Sequence, residues 1–295
     1  MSCANLIKVT PQSRVSLSCS SVFRVQLCIF SLLGAQTLDG GGICIVSTGS
    51  IEIDSCTSTS CIGKNGGAMY LQGMSNFNSK KNCFMECVAY GWGYSSMSYS
   101  SSSGNQEFND NLIYQCAKEK IGSRTILYLL YGSISFHHNN ISNSNTPAYD
   151  ACLLRYSATT DARYTIIANN QVSIAINIDA SAGSVSYINI LNNIQNGGNQ
   201  VMIWNQYSQT FTFTNCVFLN NQYTSVAYSI SKITFLNCAS KGNTFTLTGH
   251  EVSDYPLLNL VQVDCVCQPI LSITSLDKHK QSVIKIVLFS AVFSY

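Results

Sequence analysis

The sequence contains few charged residues, few prolines and few of the residues that favour helices. Only 10% of its 295 residues are Asp, Glu, Lys or Arg, against roughly 25% in typical globular domains. Glutamate occurs at five positions, which excludes the Glu- and Lys-rich blocks of long surface helices and coiled coils. Four prolines among 19 glycines exclude a collagen-like chain and a proline-rich disordered chain.

The charges that are present do not form a surface for nucleic acid or for a membrane. The formal net charge is +2, and the 16 Lys and Arg residues are scattered along the chain. Because basic stripes and polybasic segments are the usual electrostatic signal of such partners, we expect no nucleic-acid partner. Membrane association is expected only through a missing or partial C-terminal segment.

Amides and hydroxyls replace the missing charges as the polar groups of the chain. Asparagine occurs 27 times, and 46% of the residues are apolar, which is enough for a sizeable core. Thr, Ile, Val, Tyr and Phe dominate the periodic stretches. These residue types favour strands, so the composition predicts an all-β protein.

A short pattern recurs along the chain, in which an aromatic or β-branched residue precedes a Cys or Asn by three positions. Examples are "FHHN" at 136–139, "FTNC" at 213–216 and "FLNC" at 235–238. Two copies carry Ile in place of the polar residue. The marked residues are Cys28, Cys56, Cys83, Asn111, Asn139, Ile167, Ile190, Cys216, Cys238 and Cys265.

The spacing of these marks identifies the architecture. Successive marks lie 28, 27, 28, 28, 28, 23, 26, 22 and 27 residues apart. A period of about 26 residues is typical of a repeat array and is too short for the ~40 residues of a propeller blade. Together with the strand composition, this spacing predicts a β-solenoid of about ten coils.

A second and weaker motif lies between the marks. It is clearest in "GGGICIV" at 40–46 and "GGAMYLQ" at 66–72. Each copy is a short apolar strand, and the glycine pair before it suits a tight turn with positive φ. Each coil should therefore contain at least two strands.

Coils of such a solenoid stack through parallel, in-register strands, so equivalent residues of successive coils form columns. We expect the marked residues to form one column, in which Asn amides bond from coil to coil and Cys packs as a small apolar side chain. We also expect Phe213 to stack inward with Tyr187 and Phe235 at the equivalent position of the neighbouring coils.

The glycine and Phe-x-x-Asn segments together resemble the repeats of the polymorphic outer membrane proteins, which carry GGA[I/L/V] and FxxN motifs. The copies in this sequence are "GGAM" at 66–69, "FNDN" at 108–111, "FHHN" at 136–139 and "FLNN" at 218–221. Similar coils occur in protist surface proteins that resemble pectate lyase in fold. The resemblance covers roughly residues 25–268. It implies a right-handed, single-stranded parallel β-helix displayed at a cell surface, often as an adhesin.

These observations divide the chain into three parts. We expect residues 1–20 to be a polar segment or cap, residues 21–268 to be the parallel β-helix, and residues 269–295 to be a cap or apolar tail. The segment 25–35 is compatible with the hydrophobic region of a signal peptide, but it coincides with a mark and is better explained as a coil. Residues 95–106 are serine-rich and are predicted to form a loop outside the coil.

The ends of the repeat array also carry an expectation. The apolar stretch at 283–295 is shorter than the ~20 residues of a spanning helix. An array that begins near residue 21 and ends on an apolar stub is expected for a partial or degraded member of its family.

The 14 cysteines are predicted to be mainly buried free thiols, because six of them lie at repeat marks in a chain that is not small. A disulfide framework is the alternative. The pairs Cys56/Cys61, Cys83/Cys87 and Cys265/Cys267 have irregular spacing without a nearby His, which disfavours zinc. His137 and His138 are adjacent and should face opposite ways on a strand. We therefore expect no metal and no cofactor.

A carbohydrate-active enzyme is one functional hypothesis, because pectin lyases and polygalacturonases share this solenoid. Glycoside hydrolysis requires two placed carboxylates, and acids stacked in one column should recur every ~26 residues. The pairs Asp39/Asp54, Asp150/Asp161 and Asp254/Asp264 lie only 15, 11 and 10 residues apart. The best remaining candidates are Asp161 and Asp179 near Arg163.

A non-enzymatic surface protein is the favoured hypothesis. Ser, Thr, Asn and Tyr on long flat faces suit polar contacts with glycans or with host or partner proteins, and low charge is compatible with such contacts. We therefore expect an adhesin-like protein at a cell surface or in the extracellular space. A purely structural or degenerate family member is the third hypothesis.

Overall fold

The chain winds into a parallel β-solenoid. The structure is a computed structural model that describes residues 5–90, 94–100, 104–117, 125–146, 149–180, 182–197, 201–205, 211–229 and 233–245. Every regular element among these residues is a strand, and the strands form three long sheets and two small ones. The fold class predicted from composition and repeat spacing is confirmed.

Sheet 1 is formed by the apolar strands that were expected from the glycine-led motif. Its outer and inner faces alternate, as in Ile43–Ser47, where Ile43 and Ile45 are buried and Val46 is exposed. Its nine strands are Val15–Cys19, Ile43–Ser47, Met69–Gln72, Tyr94–Ser100, Thr125–Leu130, Asp150–Ser157, Ile174–Ala180, Val201–Asn205 and Ser225–Ser229.

Sheet 2 is formed by the strands that precede the marked residues. Buried and solvent-facing side chains alternate along them, which is the pattern of a sheet with one face on the core. Its ten strands are Leu6–Ile7, Phe23–Gln26, Ser50–Asp54, Asn76–Lys80, Asn105–Asn109, Ser133–His137, Thr159–Arg163, Gly183–Ser186, Phe211–Thr214 and Ile233–Leu236.

Sheet 3 is formed by short strands that begin directly after six of the marks and contain Cys83, Ile167 and Ile190, and the sequence motifs did not distinguish these strands. Its nine strands are Ile29–Ser31, Thr57–Thr59, Cys83–Met85, Leu112–Tyr114, Asn140–Ser142, Ile166–Ala168, Asn189–Leu191, Val217–Leu219 and Ala239–Lys241. The two small sheets pair Ile62–Gly63 with Val88–Ala89, and Gln171–Val172 with Ile194–Gln195.

Each coil contributes one strand to sheet 1, then one to sheet 2, then one to sheet 3. Sheets 1 and 3 have nine strands each, so the described part of the chain contains nine coils. This is one fewer than the predicted ten. The tenth mark, Cys265, lies outside the described residues. Paired residues of successive coils lie between 19 and 31 residues apart, and most lie between 22 and 29, so the predicted period of about 26 is confirmed.

The predicted column of marked residues is confirmed for Cys28, Cys56, Asn111, Asn139, Cys216 and Cys238. It is wrong at three positions, where the column contains Asn82, Thr165 and Ile188 instead of Cys83, Ile167 and Ile190. Strand pairing defines the shift, because Cys83 pairs with Leu112, and Ile167 pairs with Ile190, which pairs with Phe218. Cys83, Ile167 and Ile190 lie in sheet 3, one or two residues after the column residue of their own coil.

The core between the sheets contains short aromatic stacks. Phe108 and Phe136 have ring centroids 5.9 Å apart, and Phe213 and Phe235 have centroids 5.4 Å apart. The predicted partnership of Phe213 with Phe235 is confirmed. The partnership with Tyr187 is wrong, because Val185 pairs with Phe213 and Tyr187 lies at a corner with a φ of 54°.

The structure also bears on the segments that were predicted to be a loop, a coil and the two ends of the chain. Residues 95–100 lie in a strand of sheet 1 rather than in a loop outside the coil, so that prediction is wrong. Residues 25–35 contain parts of two strands of the first coil. Strand pairing begins before residue 21, since Val15–Cys19 pairs with Ile43–Ser47. The predicted segment 269–295 lies outside the described residues.

Candidate functional site

Each coil turns sharply on both sides of sheet 3. The second residue before each sheet-3 strand and the residue directly after it adopt left-handed φ values, which are 50–57° at the non-glycine residues. Such values cost non-glycine residues energy but suit Asn. The first corner, between sheets 2 and 3, carries Leu27, Ser55, Lys81, Asp110, His138, Tyr164, Tyr187, Asn215 and Asn237. The second corner, after sheet 3, carries Leu32, Ser60, Glu86, Gln115, Asn143, Asn169, Asn192 and Asn220.

The residue after each corner points inward and binds the neighbouring coils. In ladder 1, Oδ1 of Asn111 accepts a bond from the backbone N–H of Asn82 at 3.0 Å, and its Nδ2 donates to the carbonyl of Ser79 at 3.1 Å. Ladder 1 consists of Cys28, Cys56, Asn82, Asn111, Asn139, Thr165, Ile188, Cys216 and Cys238. Ladder 2 consists of Leu33, Cys61, Cys87, Cys116, Ser144, Asn170, Asn193, Asn221 and Asn243.

Most of the free cysteines belong to these ladders. The thiol of Cys87 donates to the carbonyl of Ser58, as the amide of Asn193 donates to the carbonyl of Ile167. Cys61 hydrogen-bonds with Cys87, and this contact and burial raise the pKa of Cys61. Burial and a raised pKa make thiols such as Cys61 and Cys87 unreactive. Cys28 and Cys238 differ, because hydrogen bonds with Cys56 and Cys216 lower their pKa.

The cysteine predictions can now be compared with the structure. Nine described cysteines are buried free thiols, whereas Cys83 is disulfide-bonded, so the prediction of free thiols is wrong for Cys83. Cys56 and Cys61 belong to different ladders on either side of sheet 3. Among the described residues, no three His, Cys, Asp or Glu side chains form a cluster that could hold a metal.

Exposed and half-buried aromatic rings border sheet 2 in the fifth to seventh coils: Tyr131, His138 and Tyr156 are exposed, and Tyr164 and Tyr187 are half-buried. His138 and Tyr164 stack with centroids 5.0 Å apart, and Tyr164 stacks on Tyr187 at 4.9 Å. At the opposite end of the same strands, Tyr131 and Tyr156 stack at 5.6 Å. All five residues have positive φ, and a left-handed Tyr costs about 1–3 kcal/mol that an Asn would largely avoid. The aromatic residues therefore occupy positions that local conformation disfavours.

The strands between these rings supply a polar floor. The outward side chains there are Ser, Thr, His, Asp and Arg, and none of them is fully buried. A strand rise of about 3.3 Å per residue gives a floor about 13 Å long from Ser133 to His137. We call the rings and the floor together the platform. Its floor residues are Ser133, Ser135, His137, Thr159, Asp161, Arg163, Ser184 and Ser186.

Asp161 organises the polar groups of the floor. Its carboxylate accepts bonds from Arg163 Nε at 2.6 Å and Ser184 Oγ at 2.9 Å, and it lies 3.2 Å from His137 Nε2. Burial opposes ionisation of Asp161, but the hydrogen bonds from Arg163, Ser184 and His137 outweigh it and lower its pKa. The carboxylate therefore stays charged and neutralises the neighbouring guanidinium.

Asp179 supports one border of the platform from sheet 1. Its carboxylate is 1% exposed and accepts a bond from Arg155 Nε at 2.9 Å. The Arg155 guanidinium lies 4.6 Å from the centre of the Tyr156 ring, a favourable cation–π distance. Asp179 thus holds Arg155, and Arg155 covers one face of Tyr156.

The structure separates the residues that sequence analysis proposed for catalysis. Asp161 lies on the outer face of sheet 2 beside Arg163, whereas Asp179 lies on sheet 1 beside Arg155. The two carboxylates bind different guanidinium groups on different sheets. The histidines also diverge: His137 faces Asp161 on the floor, and His138 lies 3.7 Å from Asp110 at the corner.

Sequence reasoning missed the platform because most of its residues belong to no motif, and because the motifs assigned Tyr187 to the core rather than to a corner. The available signal was positional: Asn215 and Asn237 occupy the first corner in the eighth and ninth coils, whereas the fifth to seventh coils carry rings there. Alignment of the coils by strand register, rather than by the nearest Phe, would have revealed Tyr164 and Tyr187 as unusual corner residues.

Comparisons with known proteins found no relative of this chain. No protein-family description, no characterised protein and no solved structure matches it. In the described part of the chain, no helix is long and apolar enough to cross a membrane.

Proposed function

We propose that this protein is a non-enzymatic, adhesin-like β-helix of a cell surface or the extracellular space, which makes polar contacts with glycans or with partner proteins. The observation that carries the proposal is the platform, where exposed and half-buried rings border a hydroxyl-rich floor on a long sheet. Tyrosine supplies rigid amphipathic contact area at low entropic cost, and hydroxyls supply adaptable hydrogen bonds. Both features suit a binding surface.

Two observations support the non-enzymatic part of the proposal. Asp161 is neutralised by Arg163, and Asp179 is buried against Arg155. Glycosidases require two carboxyl groups about 5–10 Å apart across the scissile bond, and these two acids bind their own partners on different sheets. No observation on the described residues favours the alternative of a pectin-lyase-like enzyme.

The extracellular part of the proposal is supported by Cys83, which is disulfide-bonded. Disulfides persist mainly in oxidising compartments. The nine described free cysteines are compatible with that location, because all of them are buried and thus shielded from oxidants in the solvent.

Binding of the purified protein to a glycoprotein-coated surface tests this proposal. We expect saturable binding of the fluorescently labelled chain to immobilised mucin-type glycoprotein, and no saturable binding of the same chain after thermal denaturation. Enzymatic deglycosylation of the surface separates the two partner classes, since loss of binding identifies glycans and unchanged binding identifies protein. Absence of saturable binding to both surfaces would contradict the proposal.

A further inference from the structure

The platform carries almost no net charge, and this property distinguishes it from the third coil of sheet 2. Within residues 131–138, 156–164 and 183–187, Asp161 and Arg163 are the only Asp, Glu, Lys or Arg residues, and His137 and His138 are the only histidines. They face each other at 2.6 Å. By contrast, the third coil presents the adjacent exposed cations Lys80 and Lys81.

The polar groups of the platform match the chemistry of sugar hydroxyls. Ser133, Ser135, Thr159, Ser184 and Ser186 each supply a hydroxyl that donates and accepts. The Asp161–Arg163 pair adds fixed acceptors and donors without a surplus of either charge. An ionic ligand would gain little from this surface, whereas a neutral polyol can satisfy both kinds of group.

The spacing of the two aromatic rows fits a short chain of sugars. The rows stand at opposite ends of the same strands, and about seven residues of extended chain separate Tyr131 from His138, roughly 20 Å. Within each row the ring faces stack on one another, and the Tyr131 residue of the first row is 39% exposed. A ligand that lies along the strands contacts both rows at once.

We propose that the platform binds uncharged oligosaccharides, which lie along the sheet-2 strands of the fifth to seventh coils between the two aromatic rows. This inference rests on the proposed function and specifies its ligand. It separates the protein from lyases of acidic polysaccharides, because the platform lacks the surplus of cations that a polyuronate requires.

Calorimetric titration with defined sugars tests the inference. The uncharged probes are cellohexaose, laminarihexaose and mannohexaose, and the charged probes are hexagalacturonate and a heparin hexasaccharide. We expect at least one uncharged probe to bind, with an affinity that changes less than about twofold between 50 and 500 mM NaCl, because screening weakens only interactions between charges. Binding of charged probes alone, with loss at high salt, would overturn the inference.

Two variants and one control locate the site. Tyr164→Ala and Tyr131→Ala, one from each row, should each weaken binding of the uncharged probe about tenfold, since an aromatic contact contributes on that scale. The control is Tyr228→Ala, which removes an exposed ring that stacks on Trp204 at 4.3 Å on sheet 1 and should leave binding unchanged. Unchanged hydrogen exchange in the core of each variant would show that the fold is intact.

The outcomes separate this inference from the proposed function. If the protein binds mucin-type glycoprotein but no uncharged probe, the platform inference fails and the proposed function stands. If Tyr228→Ala weakens binding while Tyr164→Ala and Tyr131→Ala do not, the glycan site lies on sheet 1 and the inference is wrong. Failure of all surfaces and all probes contradicts both proposals.

Discussion

The backbone N–H of Cys56 donates a hydrogen bond to Oδ1 of Asn82 in the next coil, 2.8 Å away. At this contact the cysteine part of ladder 1 meets the asparagine part. The thiol of Cys56 donates to the carbonyl of Val25, and the amide of Asn82 donates to the carbonyl of Ile53. A thiol and an amide thus each donate a hydrogen bond to a backbone carbonyl of the preceding coil, from equivalent positions of adjacent coils.

Removal of a ladder amide should loosen the coils on both sides. In Asn111→Ala, the N–H of Asn82 and the carbonyl of Ser79 lose a buried partner, which should cost about 3 kcal/mol of the free energy of unfolding. Hydrogen exchange should show faster exchange in the third to fifth coils. The matched control is Asn78→Ala on the outward face of sheet 2, and an equal effect of the two variants would contradict the role of the ladder.

Replacement of a buried cysteine by asparagine should be tolerated at a ladder position but not at a core position outside the ladders. In Cys116→Asn, the new amide can donate to the carbonyl of Phe84, which the thiol contacts at 3.6 Å. We expect a change in stability below about 1.5 kcal/mol. Cys152 is equally buried, but it lies in the core outside the ladders. Cys152→Asn should therefore cost about 1–3 kcal/mol more, because its amide would lack partners.

Denaturant or thermal unfolding of the two cysteine variants measures this difference. Equal destabilisation by Cys116→Asn and Cys152→Asn would mean that the ladder position confers no tolerance for the amide.

Truncation of Phe213 should damage the solenoid locally. Its ring contacts those of Phe235 and Phe218, with centroids 5.4 and 6.4 Å away. Phe→Ala in a core typically costs about 3–5 kcal/mol, and each coil of a solenoid contacts only its neighbours. Hydrogen exchange of Phe213→Ala should increase near residues 185–240 and stay unchanged before about residue 140. Uniform loss of protection along the chain would argue against nearest-neighbour stability.

Asp150 should make stability depend on pH. Burial raises its pKa to about 7, above the value of about 3.9 in an unfolded chain. A carboxyl with a raised folded pKa stabilises the fold below the unfolded pKa, and this contribution is lost as pH rises through the folded value. Stability should therefore fall between about pH 4 and pH 7, by roughly 4 kcal/mol for a shift of this size.

The variant Asp150→Asn isolates this effect, because its side chain can still accept a hydrogen bond from Asn177 Nδ2, which lies 3.0 Å from the carboxylate. The thermal midpoint of the variant should change less between pH 4 and pH 7 than that of the parent protein. At pH 8 it should be higher than that of the parent protein. Glu107→Gln, at an exposed position on sheet 2, should retain the parent profile. An identical pH profile for Asp150→Asn and the parent would refute the assignment.

The repeat was predictable because period and residue type are recorded directly in the sequence. The segment "TNCVFLNN" at 214–221 shows this well: Asn215 and Asn220 are the two corners, and Cys216 and Asn221 are the two ladder residues. In this coil the Asn and Cys pattern marks both sides of sheet 3. Six of the nine described column positions follow from such patterns.

The remaining positions could not be predicted, because the coils differ in length. Hydrogen-bonded equivalents are 29 residues apart between Asn82 and Asn111 but only 22 apart between Asn221 and Asn243. Turns absorb these differences, and an aromatic residue alone does not fix the register. Tyr187 illustrates the problem, since a β-favouring residue occupies a left-handed corner. The platform was missed for the same reason.

The central claim is that the platform binds a glycan without cleaving it, and one measurement on one sample tests both parts. The purified protein is incubated with an uncharged hexasaccharide that it binds, with and without Ca²⁺, and both bound sugar and newly formed chain ends are quantified over time. The account predicts saturable binding with no increase in reducing or unsaturated ends. Release of new ends that is lost in Asp161→Asn or Asp179→Asn would contradict it.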